Sequence, residues 1–229
     1  MENDKQIQLS PSSLNLYLEC PLCFWLYKVK KVKRPEGFMS SLPTAMDLLI
    51  KKHFDKYRSW GKLPPELCGK VEGKLIDNQQ LLDHWRSRKG GLRYEDKKTD
   101  AVLLGLLDEC FVNNGLYIPV DYKTRGFSLK SNSTSLHQNQ LNCYTFLLEA
   151  NGYRHLSFGY LIYYIAKEVK EHGNVCFRIE PHKLDTFPPV ALKLFREAVL
   201  FLRGPQPETH SNSPFCSLGQ KLYQFQPIP

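Results

Sequence analysis

Asn113-Asn114-Gly115 lies between two apolar runs, and no other segment constrains the fold as much. An Asn-Gly pair suits a two-residue hairpin turn, because both central residues of that turn need a positive φ. The run before it, Ala101 to Val112, is mostly apolar and rich in branched residues, though Gly105, Asp108 and Glu109 interrupt it. Leu116 to Tyr122 returns on the other side. The spacing predicts an antiparallel pair of strands that brings Asp108 and Asp121 together, six or seven residues either side of the turn.

Helical periodicity surrounds this hairpin. Ser10 to Tyr27 reads as a helix, with Ser10 or Ser12 as cap, Pro11 in the first turn, and Leu14, Tyr17 and Leu18 at helical spacing. After a basic connection from Lys28 to Ser41, a second helix runs from Leu42-Pro43-Thr44 to about Trp60, with Ala45, Leu48, Leu49 and Phe54 as its apolar side. Pro64 and Pro65 mark Gly61 to Gly73 as a turn or linker, and Asp77 to Ser87 reads as a short helix. Beyond the hairpin come a serine-rich loop to Ser135, a helix from Leu136 to Ala150 stopped at Asn151-Gly152, strands at His155 to Ile165 and Val175 to Ile179, and a helix over Pro189 to Arg203. The order gives a mixed α/β fold: one domain with helices at 9–60, a linker or insertion at 61–100, an α/β core at 101–203 and a tail at 204–229.

The charge balance, 31 basic against 23 acidic residues in 229, leaves a net +8. No apolar run is long enough to span a membrane, and the polar start, with Glu2 and Asp4, does not read as a secretory signal. The seven cysteines are odd in number and scattered, so a cytoplasmic chain without disulfides is expected. Cys20-Pro21-Leu22-Cys23 is the only close pair, and no second pair at similar spacing completes a zinc motif. Between Cys20 and Pro35 there is no acidic residue, while Lys28, Lys30, Lys31, Lys33 and Arg34 crowd into seven positions. Such a run is either a solvated face or a strip that contacts phosphates without reading sequence.

Asp121 and Lys123 share one face of the returning strand, because side chains alternate along it. Two carboxylates with further oxygen donors suit Mg²⁺ or Mn²⁺, and a nearby lysine can orient water or stabilise charge on a phosphate. The acid-x-Lys pattern is cheap, occurring five times: at Glu72, Glu95, Asp96, Asp121 and Glu168. Only the occurrences at 121 and 168 follow an apolar strand, and only that at 121 has an acid on a preceding partner strand. Gln140 and Tyr144, four apart, then project from one face of the next helix.

Gly105-Leu106-Leu107-Asp108, Asp121-Tyr122-Lys123 and Gln140-Leu141-Asn142-Cys143-Tyr144, in this order, resemble the motif series of RecB-like nucleases in the PD-(D/E)XK superfamily. The opening Ser10-Pro-Ser12-Ser-Leu14-Asn-Leu-Tyr17-Leu-Glu-Cys20-Pro21 is similar to that family's amino-terminal segment, including that of the CRISPR-associated exonucleases. The resemblance spans roughly Leu9 to Ile165. It implies a restriction-endonuclease-like core, a mixed sheet flanked by helices, and metal-dependent hydrolysis of DNA at ends or on single strands. By position, Asp108 and Asp121 would hold the metal, the carbonyl of Tyr122 would complete its shell, Lys123 would be catalytic, and Gln140 and Tyr144 would line the DNA path.

The chain departs from the family pattern in three places. Where the family places an early histidine ligand, Pro43-Thr-Ala-Met-Asp47 stands here, so Asp47 is the expected substitute; His53, six residues on, is rotated away by about 240°. Members with an iron–sulfur cluster use one early and three late cysteines, whereas this chain has Cys20 early and only Cys216 late, so no cluster is expected. Cys20 and Cys23 are then expected as packing residues. Pro119, two residues before Asp121, cannot donate to a ladder and suggests a strand start or a bulge. The functional expectation is a metal-dependent nuclease; the alternatives are a non-catalytic nucleic-acid-binding subunit beside a helicase or repair partner, and an α/β domain whose acid-x-Lys is accidental.

Overall fold

The turn forms where Asn114 and Gly115 require it, with φ of 50° and 76°. In the computed structural model, which describes residues 6–34, 41–130, 133–208 and 213–217, strand β5 (Glu109–Asn113) runs antiparallel to β6 (Leu116–Arg125), pairing Asn113 with Leu116 and Glu109 with Val120. Parts of the expected connection at 28–41, the serine-rich loop and the tail at 204–229 lie outside the described residues.

The apolar run before the turn is two strands rather than one. β4 (Ala101–Gly105) ends at the glycine, and β5 begins only after Leu106, Leu107 and Asp108. A Cβ on Gly105 would fall 2.5 Å from Leu147 Cδ1, so any larger residue there would have to displace that side chain. β4 belongs to a separate three-stranded sheet of order β1-β4-β3, with β1 at Ile7–Leu9 and β3 at Leu92–Asp96.

The larger sheet has five strands in the order β2-β5-β6-β7-β8, with β2 at Lys74–Leu75, β7 at Phe158–Val169 and β8 at Val175–Asp185. The β6–β7 pair is parallel and the others are antiparallel, which makes the sheet mixed. Pro119 sits neither at a strand start nor at a bulge. It pairs with Cys110 in the middle of β6, and the parallel ladder to β7 begins one residue later, at Val120–Tyr160. Gly159 makes room for it: a Cβ there would lie 3.1 Å from Pro119 Cγ.

Helices cover both faces of this sheet. Ile118, Val120 and Tyr122 alternate to one face and join Phe111, Tyr160, Ile162 and Tyr164 in a core packed by Ile50 and Phe54 of α3 (Ser41–Ser59). The opposite face is covered by α5 (Ser135–Ala150), which places Leu141 against Gly159. The fold is thus mixed α/β, a mixed sheet flanked by helices, as the order of elements predicts. The apolar side of α3 differs from expectation. Leu48 and Leu49 are exposed, whereas Met46, Ile50, Phe54 and Tyr57, at three- and four-residue spacing, face the core. The stretch 61–100, expected as linker or insertion, carries β2, β3 and the helix α4 (Gln79–Arg86), whose Leu82 and Trp85 are buried.

By contacts the chain divides into two compact units. One comprises 40–94 and 104–192, with the larger sheet; the other comprises 1–39, 95–103 and 193–229. In the latter, the expected single helix at 10–27 is two: α1 (Pro11–Glu19) and α2 (Pro21–Lys28). Pro21 has no N–H to continue the first helix and disfavours a helical conformation at Cys20, which is extended at φ −157° and ψ 101°. The helix α6 (Pro188–Leu202) buries Ala191, Leu194, Phe195, Ala198 and Leu202, the face expected from sequence. Arg196 grips Asp96 with two 2.9 Å hydrogen bonds, which hold that carboxyl well below its usual range. No helix among the described residues is long and apolar enough to cross a membrane.

Candidate active site

Asp121 and Lys123 face α5, and one amide binds both. Gln140 Nε2 donates to Asp121 Oδ1 at 2.7 Å and to Tyr144 Oη at 2.9 Å, while Gln140 Oε1 accepts from Lys123 Nζ at 3.1 Å. The four-residue spacing on α5 and the two-residue spacing on β6 are what let these side chains meet. Tyr144, expected with Gln140 along the DNA path, is 4 % exposed and meets Gln140 through its hydroxyl.

Asp121 is 1 % exposed. Lys123 Nζ lies 2.5 Å from Oδ2, within ion-pair range, but no aligned hydrogen bond reaches that oxygen. Burial pushes the Asp121 carboxyl up to about 6; the Lys123 charge opposes the rise, and the Asp108 and Asp47 carboxylates add to it. A carboxylate raised chiefly by burial, with acidic neighbours adding to it and one ammonium beside its Oδ2, sits where positive charge is favourable.

Asp108 occupies the position just outside the β5 ladder, where the 109–120 register continued by one would place it across from Asp121. Its Oδ1 lies 2.8 Å from Lys51 Nζ, which also donates to Asp47 Oδ2 at 2.8 Å. Asp47 is therefore tied to Asp108 through a shared lysine. His53 turns elsewhere, 2.8 Å from Glu66, on which Tyr164 also donates at 3.3 Å. Of the two candidates for the early ligand, the structure brings only Asp47 to the acidic group.

The donor types fit a hard divalent cation: carboxylate oxygens, one of them without a hydrogen bond, beside the main chain of Tyr122. The Tyr122 side chain points to the α3 side, where its hydroxyl donates to Glu109 Oε2 at 2.9 Å, so only its carbonyl could serve the Asp121 side. Among the described residues, oxygens of Asp47, Asp108 and Asp121 do not all gather within 4.8 Å of one another. The ammonium groups of Lys51 and Lys123 pair with these acids instead.

Two features escaped sequence reasoning. Lys51 was legible in principle, since it lies four residues after Asp47 on one helix face. The other had no local signal. Fully buried Glu109 receives Arg58 at 2.5 Å, Arg86 at 3.3 Å and the Tyr122 hydroxyl, which lock α3, α4 and β6 directly behind the site. These partners lie 13 to 51 residues apart in sequence.

The basic run belongs to the other unit and is not a uniform strip. Lys28 donates to Gln8 O at 2.9 Å, and Arg34 pairs with Glu19 at 2.6 Å while lying over the Phe215 ring. Lys30, Lys31 and Lys33 remain exposed. A left-handed Lys31, at φ 60°, turns the chain there and folds its own ammonium back on Lys28 O.

No family model and no curated protein matches this chain. Among solved structures it is similar to that of SSO0001, with a TM-score of 0.53 and 13 % identity over 95 % of this chain and 87 % of the other. That likeness concerns the fold alone.

Proposed function

We propose that this chain is a divalent-metal-dependent nuclease that hydrolyses DNA phosphodiester bonds, acting on ends or single strands. The observation that supports the reading is the Asp121–Lys123–Gln140 arrangement: a buried carboxylate, an ammonium paired with its Oδ2, and one amide fixing both. Asp121, Asp108 and the Tyr122 carbonyl would hold Mg²⁺ or Mn²⁺, with Asp47 as a further acid. Bound there, the ion would polarise a phosphate and lower the pKa of a coordinated water. Lys123 would orient that water or offset charge on the phosphate, and Gln140 keeps Lys123 within reach. The exposed Lys30, Lys31 and Lys33 would contact phosphates without reading bases.

A second reading has its own observation. Lys51 bridges Asp47 and Asp108, satisfying acids that an ion would otherwise need. On that ground the chain could be a non-catalytic nucleic-acid-binding subunit of a repair or helicase assembly. One experiment separates the two: labelled single- and double-stranded DNA incubated with the wild type, Lys123→Ala and, as the control from the rival Glu168-x-Lys170 match, Lys170→Ala, with and without Mn²⁺. Cleavage that needs Mn²⁺, fails with Lys123→Ala and survives Lys170→Ala supports the nuclease. DNA binding without cleavage by any of the three supports the subunit.

A further inference from the structure

Cys20, Cys23 and Cys216 lie in one compact unit, all buried, and their sulfurs are all within 4.8 Å of one another. Cys216 Sγ is 3.4 Å from Cys20 Sγ and 3.9 Å from Cys23 Sγ. We infer that these three cysteines form a thiolate site for a single zinc ion, which fastens the segment around Cys216 to the break between α1 and α2.

The spacing matches one small ion. Four-coordinate zinc with Zn–S bonds of about 2.3 Å separates its sulfurs by about 3.8 Å. An iron–sulfur cluster places several iron and sulfide atoms between its thiolates and needs them farther apart. A dry apolar core gives no reason for three sulfurs, 193 and 196 residues apart in sequence, to converge on one point.

The surroundings are built for negative sulfur. Cys20 caps α2, and its Sγ accepts from the backbone N–H of Cys23 at 3.5 Å, the kind of bond that stabilises a coordinating thiolate. The Ser213 hydroxyl is 4.0 Å from Cys23 Sγ and, with a water, is the available source of a fourth donor. The Arg34 guanidinium stands beside Cys23, and its Nε and Nη2 are buried without an oxygen or nitrogen to bind. A cationic donor left without such a partner next to three sulfurs is explained if the sulfurs are charged. The sequence alone could not assemble this site. Cys20-x-x-Cys23 supplies two ligands, and the third comes from the far end of the chain.

The site shares no residue with the Asp121 group, so its test does not depend on nuclease activity. The full chain, purified without chelator, is expected to carry about one zinc per molecule by elemental analysis. Removing the metal with a thiol-reactive mercurial should release that zinc as three thiols react, while exposed Cys68 reacts beforehand. Cobalt substitution should give sulfur-to-cobalt charge-transfer absorption. Cys216→Ser and Cys23→Ser should each lower zinc content at least tenfold, and Cys68→Ser should leave it unchanged. Because a ligand variant may fail to fold, the wild-type metal content and cobalt spectrum decide by themselves. Absence of zinc and of cobalt absorption, a Cys20–Cys216 disulfide, or iron with acid-labile sulfide would each overturn the inference.

Discussion

Lys51 Nζ lies 2.8 Å from Asp108 Oδ1, so a helix of one face of the sheet supplies the cation that neutralises the acid opposite Asp121. This ammonium competes with any divalent ion for the same carboxylates. Lys51→Met should therefore tighten Mn²⁺ binding by about fivefold, on the order of 1 kcal/mol for partly screened charges. Calorimetric titration checks this. Weaker binding would mean instead that Lys51 is needed to hold Asp47 and Asp108 in place.

Asp121 carries a pH dependence of known sign. Its folded pKa, about 6, lies above the ordinary 3.8, so the folded state binds a proton that the unfolded chain has already released. Its contribution to stability is fully present below about pH 4 and is lost as the pH rises through 6, a change on the order of 3 kcal/mol. With chelator present, urea melts at pH 4.5 and 7.5 should show about 2 kcal/mol of this fall for the wild type and little of it for Asp121→Asn. Parallel curves for the two proteins would remove the carboxyl from the account.

Gln140 serves both Asp121 and Lys123, whereas Tyr144 serves only Gln140. Gln140→Leu leaves the buried Asp121 Oδ1 without its donor and should cost about 1–3 kcal/mol of stability. Tyr144→Phe removes one neutral hydrogen bond and should cost about 1 kcal/mol. The reverse ranking in denaturant midpoints would show that the tyrosine, not the amide, organises the group.

Glu109 is the buried anion behind the site. Glu109→Ala takes the only fully buried anion from Arg58 and Arg86, which keep Asp55, and leaves the Tyr122 hydroxyl without its acceptor, so it should destabilise by about 2–4 kcal/mol. Glu197→Ala, which removes an exposed ion pair with Lys193, should change the melting temperature very little. Comparable effects of the two substitutions would contradict the burial of the Glu109 network.

If the exposed lysines contact phosphates, replacing Lys30, Lys31 and Lys33 together by Gln should weaken DNA binding across sequences and reduce the salt slope by about 3. Lys28→Gln should do less, because Lys28 is half-buried with its ammonium on Gln8 O, whereas Lys31, although bonded to Lys28 O, is exposed like Lys30 and Lys33. An unchanged slope for the triple variant would leave these residues as a solvated face.

The sequence by itself determined what depends on neighbours along the chain. Asn114-Gly115 dictates the turn, alternation puts Asp121 and Lys123 on one face, and helical spacing pairs Gln140 with Tyr144. Each of these rests on backbone geometry that a few residues specify. That Asp47 and His53 do not share a face follows from helix rotation. Only the tertiary structure decided the rest: that the apolar run at 101–112 serves two different sheets, that Pro119 sits inside a strand because Gly159 gives it space, that Lys51 closes on Asp108, and that Cys216 meets Cys20. These depend on partners distant in sequence. Their meeting is set by how sheets and helices bury apolar surface together, and a period of two or of 3.6 residues carries no record of it.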